Sequence, residues 1–289
     1  MSAPTGTPEA AATACRPAAT TGPTVASGIG TLTRALRAEW TKLRTTAGPA
    51  WLLVGVVAAT AGVSAAVAAA NRCPAGTSCQ IDMAKTSLSG VQVGQAVVAI
   101  LAVLTVSNEY SSQMIRTTLA AMPRRSAVLG AKALLVGVLV LIAGAVAVGA
   151  CILVGRVILT GHGFTAARGF PPLSLTDGPV LRAACGSVLY LALIALLSLG
   201  LAMLVRDSAV AIGAALAVLY VFPITTAFVQ NPTWQHRLQR YTPMAGLNIQ
   251  ATTGLHGLPI TPWAGLGVLA LWAAAALLAG GLVFRLRDA

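Results

Sequence analysis

Six long apolar stretches divide the chain, and the charged residues fall almost entirely between them. The stretches lie at about 50–70, 88–107, 132–155, 181–205, 208–228 and 262–284. Each is near the roughly 20 residues that an α-helix needs to cross the hydrocarbon core of a bilayer. Arg206 and Asp207 separate the fourth stretch from the fifth, because a charged pair is costly at mid-membrane and marks a turn at an interface. The pattern predicts an all-α integral membrane protein with a six-helix transmembrane domain at 48–289.

The first 47 residues contain no such stretch and divide into two segments. Residues 1–28 are mostly Ala, Thr, Pro and Gly. They cannot bury enough apolar surface to offset the entropy of ordering, so we expect a disordered tail. Between 29 and 47, apolar residues recur with the period of a helix, and Trp40 lies on their face. A basic amphipathic helix of this kind is typical of the membrane surface; a solvated helix that leads into the first span is the alternative.

Composition and charge support this interpretation. The chain of 289 residues is 56% hydrophobic and 9% charged, whereas soluble domains carry about 25% charged residues. Its net charge of +12 in a soluble protein would indicate a nucleic-acid partner, which we do not expect here. With a cytoplasmic N-terminus, 12 of the 19 basic residues fall on the cytoplasmic side. This positive-inside bias predicts a multi-pass protein of the plasma membrane with both termini in the cytoplasm.

The sequence lacks the motifs of three kinds of chemistry. None of the three Lys residues follows a Gly, so the phosphate-binding loop G-x-x-x-x-G-K-[ST] is absent and we expect no ATPase site in this chain. His162, His236 and His256 fall in predicted external loops without Cys or carboxylate at ligand spacing, so no metal site is predicted. No Asp or Glu lies within a predicted span, whereas ion-coupled transporters usually carry an ionisable group at that depth. Any transport must therefore be driven from elsewhere.

Cys73 and Cys79 bracket the sequence CPAGTSC in the first predicted external loop. Two cysteines this close in a loop with Pro and Gly can form a small disulfide, and an oxidising exterior permits it. Two free thiols are the alternative, and the sequence does not decide between them.

The predicted loop at 108–131, after the second span, is the most informative segment. It is much longer than the roughly 2–8 residues that usually connect two helices. Together with Lys132 it holds four basic residues, and its residues 111–121 form a helix-sized segment that ends just before Pro123. We interpret this loop as a contact surface for a partner; a basic loop that only maintains orientation is the alternative.

Two motifs near the first two spans point to a family. Before the first span the chain reads LRAEWTKLRT, which fits L-x-x-E-x-x-K-L-R-[ST]. After the second span it reads EYSSQMIRTTLAAMPRR and continues to Lys132. On these motifs, and on Tyr241, Pro243 and the Pro262-Trp263 start of the last span, residues 30–289 resemble the membrane permease of type-2 ATP-binding cassette (ABC) exporters, in particular its actinobacterial branch. Gln113 stands near where relatives often have Gly.

This resemblance implies an assembly of several chains. In this family two permeases, identical or paralogous, form the transport path in the lipid bilayer, and two separate ATPase subunits with ATP and Mg²⁺ bind beneath them. The helix at 29–47 is then the elbow helix, with Arg37, Glu39, Trp40, Lys42 and Arg44. The loop at 108–131 docks into the ATPase. Its coupling residues are Glu109, Tyr110, Arg116, Thr117, Pro123, Arg124, Arg125 and Lys132.

Polar residues within two spans mark a candidate substrate path. They are Gln92 and Gln95 on one face of the second span, and Tyr220, Pro223, Thr225 and Thr226 in the fifth. Polar side chains in lipid usually turn toward protein or a cavity, and the resemblance implies that these spans face the path; plain helix–helix hydrogen bonding is the alternative for the glutamines. A path with few charges favours a hydrophobic or amphiphilic substrate, such as a drug, antibiotic or lipid.

Three functions can be weighed against each other. We expect the permease subunit of an ATP-driven exporter, with no catalytic residues of its own. A secondary transporter or channel is disfavoured by the lack of charges within the spans. A membrane-anchored scaffold, or an intramembrane enzyme, is the third possibility. In the exporter interpretation, residues 229–261 form the last external loop.

Overall fold

The computed structural model describes residues 33, 36–37, 40–41, 45, 47–74, 79–111, 125–170, 172–205 and 207–287. The predicted tail at 1–28 and the predicted turn residue Arg206 lie outside these ranges. Within them the chain consists of helices and their connections and contains no strand. The prediction of an all-α membrane protein is confirmed at this level.

Nine α-helices occur in the described ranges. They are α1 (Ala47–Ala70), α2 (Met83–Ser87), α3 (Val91–Ser111), α4 (Arg125–Gly161), α5 (Gly178–Leu204), α6 (Ser208–Leu216), α7 (Phe222–Phe228), α8 (Pro232–Tyr241) and α9 (Pro262–Arg287). A π-helical turn, Ala217–Val221, joins α6 to α7. Short 3₁₀-helices occupy Ala166–Arg168, Pro243–Gln250 and Leu255–Gly257.

Five described stretches are long and apolar enough to cross a membrane. They are Ala47–Ala70, Leu129–Gly161, Gly178–Leu204, Ser208–Thr225 and Pro262–Val283. These coincide with five of the predicted spans, all except the second. The second predicted span corresponds to α3, whose apolar part, Val91–Ser107, is shorter than the other five.

Some boundaries differ from those predicted. α4 begins at Arg125 rather than at 132 and continues to Gly161 rather than to 155, because no Pro interrupts the chain after Pro123 and a helix can continue beyond the hydrocarbon. Since α3 extends to Ser111 and α4 includes residues 125–131, both ends of the predicted loop at 108–131 are helical. Residues 229–261 were expected to form a loop, but they contain α8 and two of the 3₁₀-helices.

α5 lies at the centre of the helix bundle and packs against α3, α4 and α9. Most of its surface is buried, and Tyr190, Leu191 and Ile194 are fully buried. Because lipid is as apolar as a helix surface, close contact between small residues is what favours helix association in a membrane. Gly200 of α5 makes such a contact, since the backbone of α9 packs directly against it near Gly280. α1 and the stretch Ser208–Thr225 bury much less of their surface and leave it available to lipid.

Candidate functional site

At one end of the bundle the connecting segments bond to one another and form a cap. We define the cap as the described parts of residues 71–90, 162–177 and 242–261. Cys73 and Cys79 form a disulfide in the first segment. The Cys73 N–H donates to the His162 carbonyl at 3.0 Å, and Arg168 Nη1 donates to the Cys73 carbonyl at 2.8 Å. The segments that follow α1 and α4 are therefore joined.

Asp82 joins the first cap segment to the last. Its carboxylate accepts hydrogen bonds from the Thr252 N–H at 2.6 Å, the Thr252 hydroxyl at 2.7 Å and the Thr253 N–H at 2.8 Å. It also caps α2 by accepting from the Lys85 N–H at 3.1 Å. One side chain thus connects the start of α2 with the segment that leads into α9.

The hydrogen bonds to Asp82 also stabilise its charge. Burial by itself raises the pKa of a carboxyl group, because it disfavours the charged form. At Asp82 the bonds from Thr252, Thr253 and Lys85 outweigh this effect and hold the pKa below its ordinary value of 3.8. Asp82 is therefore an anion at neutral pH.

The cap is anchored to the central helix by the 3₁₀-helix Pro243–Gln250. Its Ile249 is fully buried and packs directly against Gly186 of α5, because Gly has no Cβ to prevent this close contact. Just beyond this helix, the Ala251 carbonyl accepts a hydrogen bond from Arg182 Nη2 at 2.6 Å. The position of the cap is therefore coupled to that of α5.

A polar cluster lies within the bundle. Gln95 of α3 is fully buried, and its Oε1 accepts a hydrogen bond from the Tyr190 hydroxyl of α5. The Tyr220 hydroxyl donates to the Gln92 carbonyl, one turn earlier on α3. Gln95 Nε2 is buried and has no hydrogen-bond partner among the described residues. Because an unpaired buried amide costs about 1–3 kcal/mol, this donor would gain from a further acceptor.

Tyr220 lies in the π-helical turn. Pro223 follows it and has no N–H to donate to the Leu219 carbonyl, four residues earlier, and its ring crowds that carbonyl. The wider π turn relieves the mismatch, and π turns within helices are frequent at functional sites. The turn therefore places the Tyr220 side chain against α3.

The predicted path residues are only partly brought together. Gln92, Gln95 and Tyr220 meet at one place, although the Gln92 side chain is exposed and the Gln95 side chain is buried. Thr225 is exposed, and its hydroxyl donates to the Phe222 carbonyl within α7. The side chain of Thr226 lies outside the described part of the chain.

At the end opposite the cap, Lys132 joins α3 to α4. Its side chain is only 6% exposed, and Nζ donates to the Thr105 carbonyl at 3.0 Å. A buried ammonium group needs such acceptors, so Lys132 packs between helices and does not present its charge at the surface.

The structure leaves most of the other predicted coupling and elbow residues undescribed. Arg37 and Trp40 of the elbow are exposed. The residues outside the described ranges are Glu39, Lys42, Arg44, Arg116, Thr117, Pro123 and Arg124. The side chains of Glu109, Tyr110 and Arg125 are not described either.

Sequence reasoning missed Asp82, Thr252 and Tyr190. Asp82 precedes a short helix, and Asp is a preferred N-cap residue, so the sequence could have indicated its role as a helix cap. Tyr190 is indicated more weakly, because it is a residue with a hydroxyl in the middle of an apolar span. Nothing local distinguishes Thr252 from other loop threonines.

Neither a metal centre nor a known relative helps to interpret this arrangement. Among the described residues, no group of three or more His, Cys, Asp or Glu is placed to hold a metal ion. Models of known protein families do not match the chain, and neither do curated protein sequences.

Proposed function

We propose that the chain is the permease subunit of an ATP-driven ABC exporter in the plasma membrane, with a separate ATPase as its partner. The observation that carries this proposal is the position of Lys132. The motif that resembles the coupling segment of type-2 ABC permeases ends at this residue, and its side chain bonds α4 to α3. Movement of the segment at 112–124 would therefore be transmitted to two membrane helices at once.

The length of α4 supports a cytoplasmic extension. Its 37 residues correspond to about 55 Å at 1.5 Å per residue, whereas the hydrocarbon core is about 30 Å thick. Lys132 and Arg156 bracket the uncharged middle of α4 and lie about 36 Å apart along the helix axis. The residues of α4 before Lys132 therefore project beyond the hydrocarbon, where a bound ATPase would meet them.

The sidedness of the hydrogen bonds supports six crossings. The bonds of Cys73, Asp82 and Arg168 place the segments after α1, α4 and α8 at one end. The Lys132–Thr105 bond lies at the other end. This alternation fits a chain in which α3 also crosses the membrane, in addition to the five longer stretches. Both termini then lie at the end opposite the cap. A cap outside the cell would place the disulfide in an oxidising environment.

The substrate path in this proposal runs along α3 and the π-helical turn. Gln95 Nε2 supplies an unpaired donor there, within a polar cluster that includes the hydroxyls of Tyr190 and Tyr220, and the membrane-length stretches are strongly apolar. This favours a hydrophobic or amphiphilic substrate with a hydrogen-bond acceptor. None of the Asp and Glu residues lies within the five membrane-length stretches, so the driving force would come from ATP and Mg²⁺ on the partner rather than from an ion relay. The second permease would be another copy or a paralogue.

Purification through a C-terminal tag from native membranes is expected to recover a P-loop ATPase in a near-stoichiometric amount. Mass spectrometry would identify it, and an unrelated tagged membrane protein from the same cells serves as the control. Recovery of the chain without an ATPase, together with transport in ATP-free vesicles, would contradict the proposal and favour a secondary transporter. Recovery of the chain without an ATPase and without transport would favour a scaffold.

Reversal of the charges of Arg124 and Arg125 is expected to uncouple transport by the permease from ATP hydrolysis by its partner. With Arg124→Glu and Arg125→Glu together, export and stimulation of the ATPase should fall about tenfold, because each exposed ion pair contributes up to about 1 kcal/mol to docking. Thermal stability should be unchanged. The matched control is the double reversal of Arg237 and Arg240 in α8, which lies next to the cap. If both double variants behave like the wild type, the basic segment does not dock the ATPase.

A further inference from the structure

A cavity lies within the cap, away from the polar cluster in the bundle. Its volume is about 940 Å³, near the upper end of the range of about 300–1,000 Å³ that is usual for sites of small molecules. It is bounded by the segment 79–84, the segment after α4, the start of α5 and the segment 252–254. The Asp82 hydrogen bonds join two of these elements, the segments 79–84 and 252–254, so the cavity depends on the assembled cap.

The walls of the cavity are mainly apolar. Ile81, Met83, Leu173 and Val180 line it from three different segments. Phe170 completes the wall, and its ring stacks edge-to-face on Phe164, with the ring centroids 5.1 Å apart. A wall supported in this way offers a defined surface for the apolar body of a ligand.

The charged groups of the cavity are both negative. Asp82 and Asp177 line it, and no Lys, Arg or His is among the described residues that do so. This is contrary to the composition of the chain, which has 19 basic and only 7 acidic residues. The hydrogen bonds to the Asp82 carboxylate come from neutral donors, which leave its charge uncompensated. Asp177 precedes α5, is exposed, and makes no side-chain bond to the helix end.

We propose that this cavity binds an amphiphilic organic cation. The apolar body of the ligand packs against Phe170 and its neighbours, and the positive nitrogen or phosphorus centre lies near Asp177 and Asp82. An organic anion is disfavoured, because it would place like charges together in a partly desolvated site. Binding requires only the described cap and the start of α5, so it holds or fails independently of the transport function proposed above.

Tetraphenylphosphonium and tetraphenylborate test the proposal, because they share a shape and differ in the sign of their charge. Binding is measured by equilibrium dialysis on the purified full chain in detergent, with detergent alone subtracted. The wild type is expected to bind the phosphonium saturably and the borate at least about tenfold more weakly. Asp177→Asn should weaken binding of the phosphonium about fivefold, as expected for one exposed charge. Asp207→Asn, at the opposite end of the bundle, is the matched control and should bind as the wild type does.

A second variant tests the cavity itself. A Cβ at Gly178 meets no atom within 4 Å, so Gly178→Phe should fold and should fill part of the cavity. Its affinity for the phosphonium is expected to fall about tenfold. Equal binding of the two ions, or an unchanged affinity in Asp177→Asn, overturns the assignment of a cation. An unchanged affinity in Gly178→Phe overturns the cavity as the binding site.

Discussion

Replacement of Asp82 with Ala is expected to lower the free energy of unfolding by about 3 kcal/mol and to release the cap. The substitution removes the three bonds to Thr252 and Thr253 and the bond to the Lys85 N–H. Loss of a helix N-cap costs about 1 kcal/mol, and donors left unpaired in a half-buried place add about 1–3 kcal/mol. Thermal unfolding in detergent should shift down by about 6 °C, and limited proteolysis should reach the segment 251–254.

Asp207→Ala is the matched control for this prediction. Asp207 also caps a helix, since its carboxylate accepts from the Val210 N–H at 2.8 Å. The structure gives it no hydrogen bond to a distant segment among the described residues. Its loss should therefore cost only about 1 kcal/mol. Equal losses in Asp82→Ala and Asp207→Ala would mean that Asp82 acts as a helix cap and does not hold the cap segments together.

The charge of Asp82 makes the stabilisation by its hydrogen bonds dependent on pH. Because its pKa is lower in the folded protein than the ordinary value of 3.8, the ionised group stabilises the fold at any pH above that value. This stabilisation is lost as the pH falls below 3.8 and through the lower pKa of the folded state. The stability difference between the wild type and Asp82→Asn should be constant between about pH 7 and about pH 5, and should shrink only in stronger acid. If the stability difference between the wild type and Asp82→Asn already narrows between about pH 7 and about pH 5, the lowered pKa of Asp82 is contradicted.

The membrane helices can be predicted from sequence because the bilayer imposes a length and a composition on each of them. The predicted spans at 50–70 and 181–205 differ from α1 and α5 by only a few residues. The extension of α4 is harder to predict, since basic residues at positions 125, 132 and 156 interrupt the apolar pattern before the helix ends. The π-helical turn is harder still. Pro223 indicates an irregularity, but its neighbours decide whether the helix kinks or widens.

The cap and the polar cluster cannot be predicted in this way, because their contacts are long-range. Asp82 and Thr252 are 170 positions apart, and Gln95 and Tyr190 are 95 apart. Each residue type is common in its local setting, and only the tertiary arrangement pairs them. Lys132 illustrates a different limit. Its charge favours an exposed helix end, but its long side chain reaches a carbonyl between two helices, as long basic side chains can.

The crossing of α5 and α9 leads to the second large prediction, that Gly200→Ala lowers the free energy of unfolding by about 3 kcal/mol. A Cβ at Gly200 would lie 2.5 Å from the Ala276 carbonyl carbon and 2.6 Å from the Leu277 nitrogen. These are backbone atoms and cannot rotate away, so α9 must move. Because α5 also contacts α3, α4 and the 3₁₀-helix Pro243–Gln250, such a movement disturbs the whole bundle. Thermal unfolding in detergent should show the loss.

Gly213→Ala is the control for this crossing, because it makes the same change on the exposed side of α6. A Cβ at Gly213 meets no atom within 4 Å, and Ala is favoured over Gly in a helix by about 1 kcal/mol. This variant should therefore be as stable as the wild type or slightly more stable. The two variants should change the free energy of unfolding in opposite directions. This difference separates a steric clash at Gly200 from the general effect of replacing a helical Gly with Ala. Since the backbones of α5 and α9 are already in contact at Gly200, a wild-type stability in Gly200→Ala would mean that the two helices lie further apart than the structure places them.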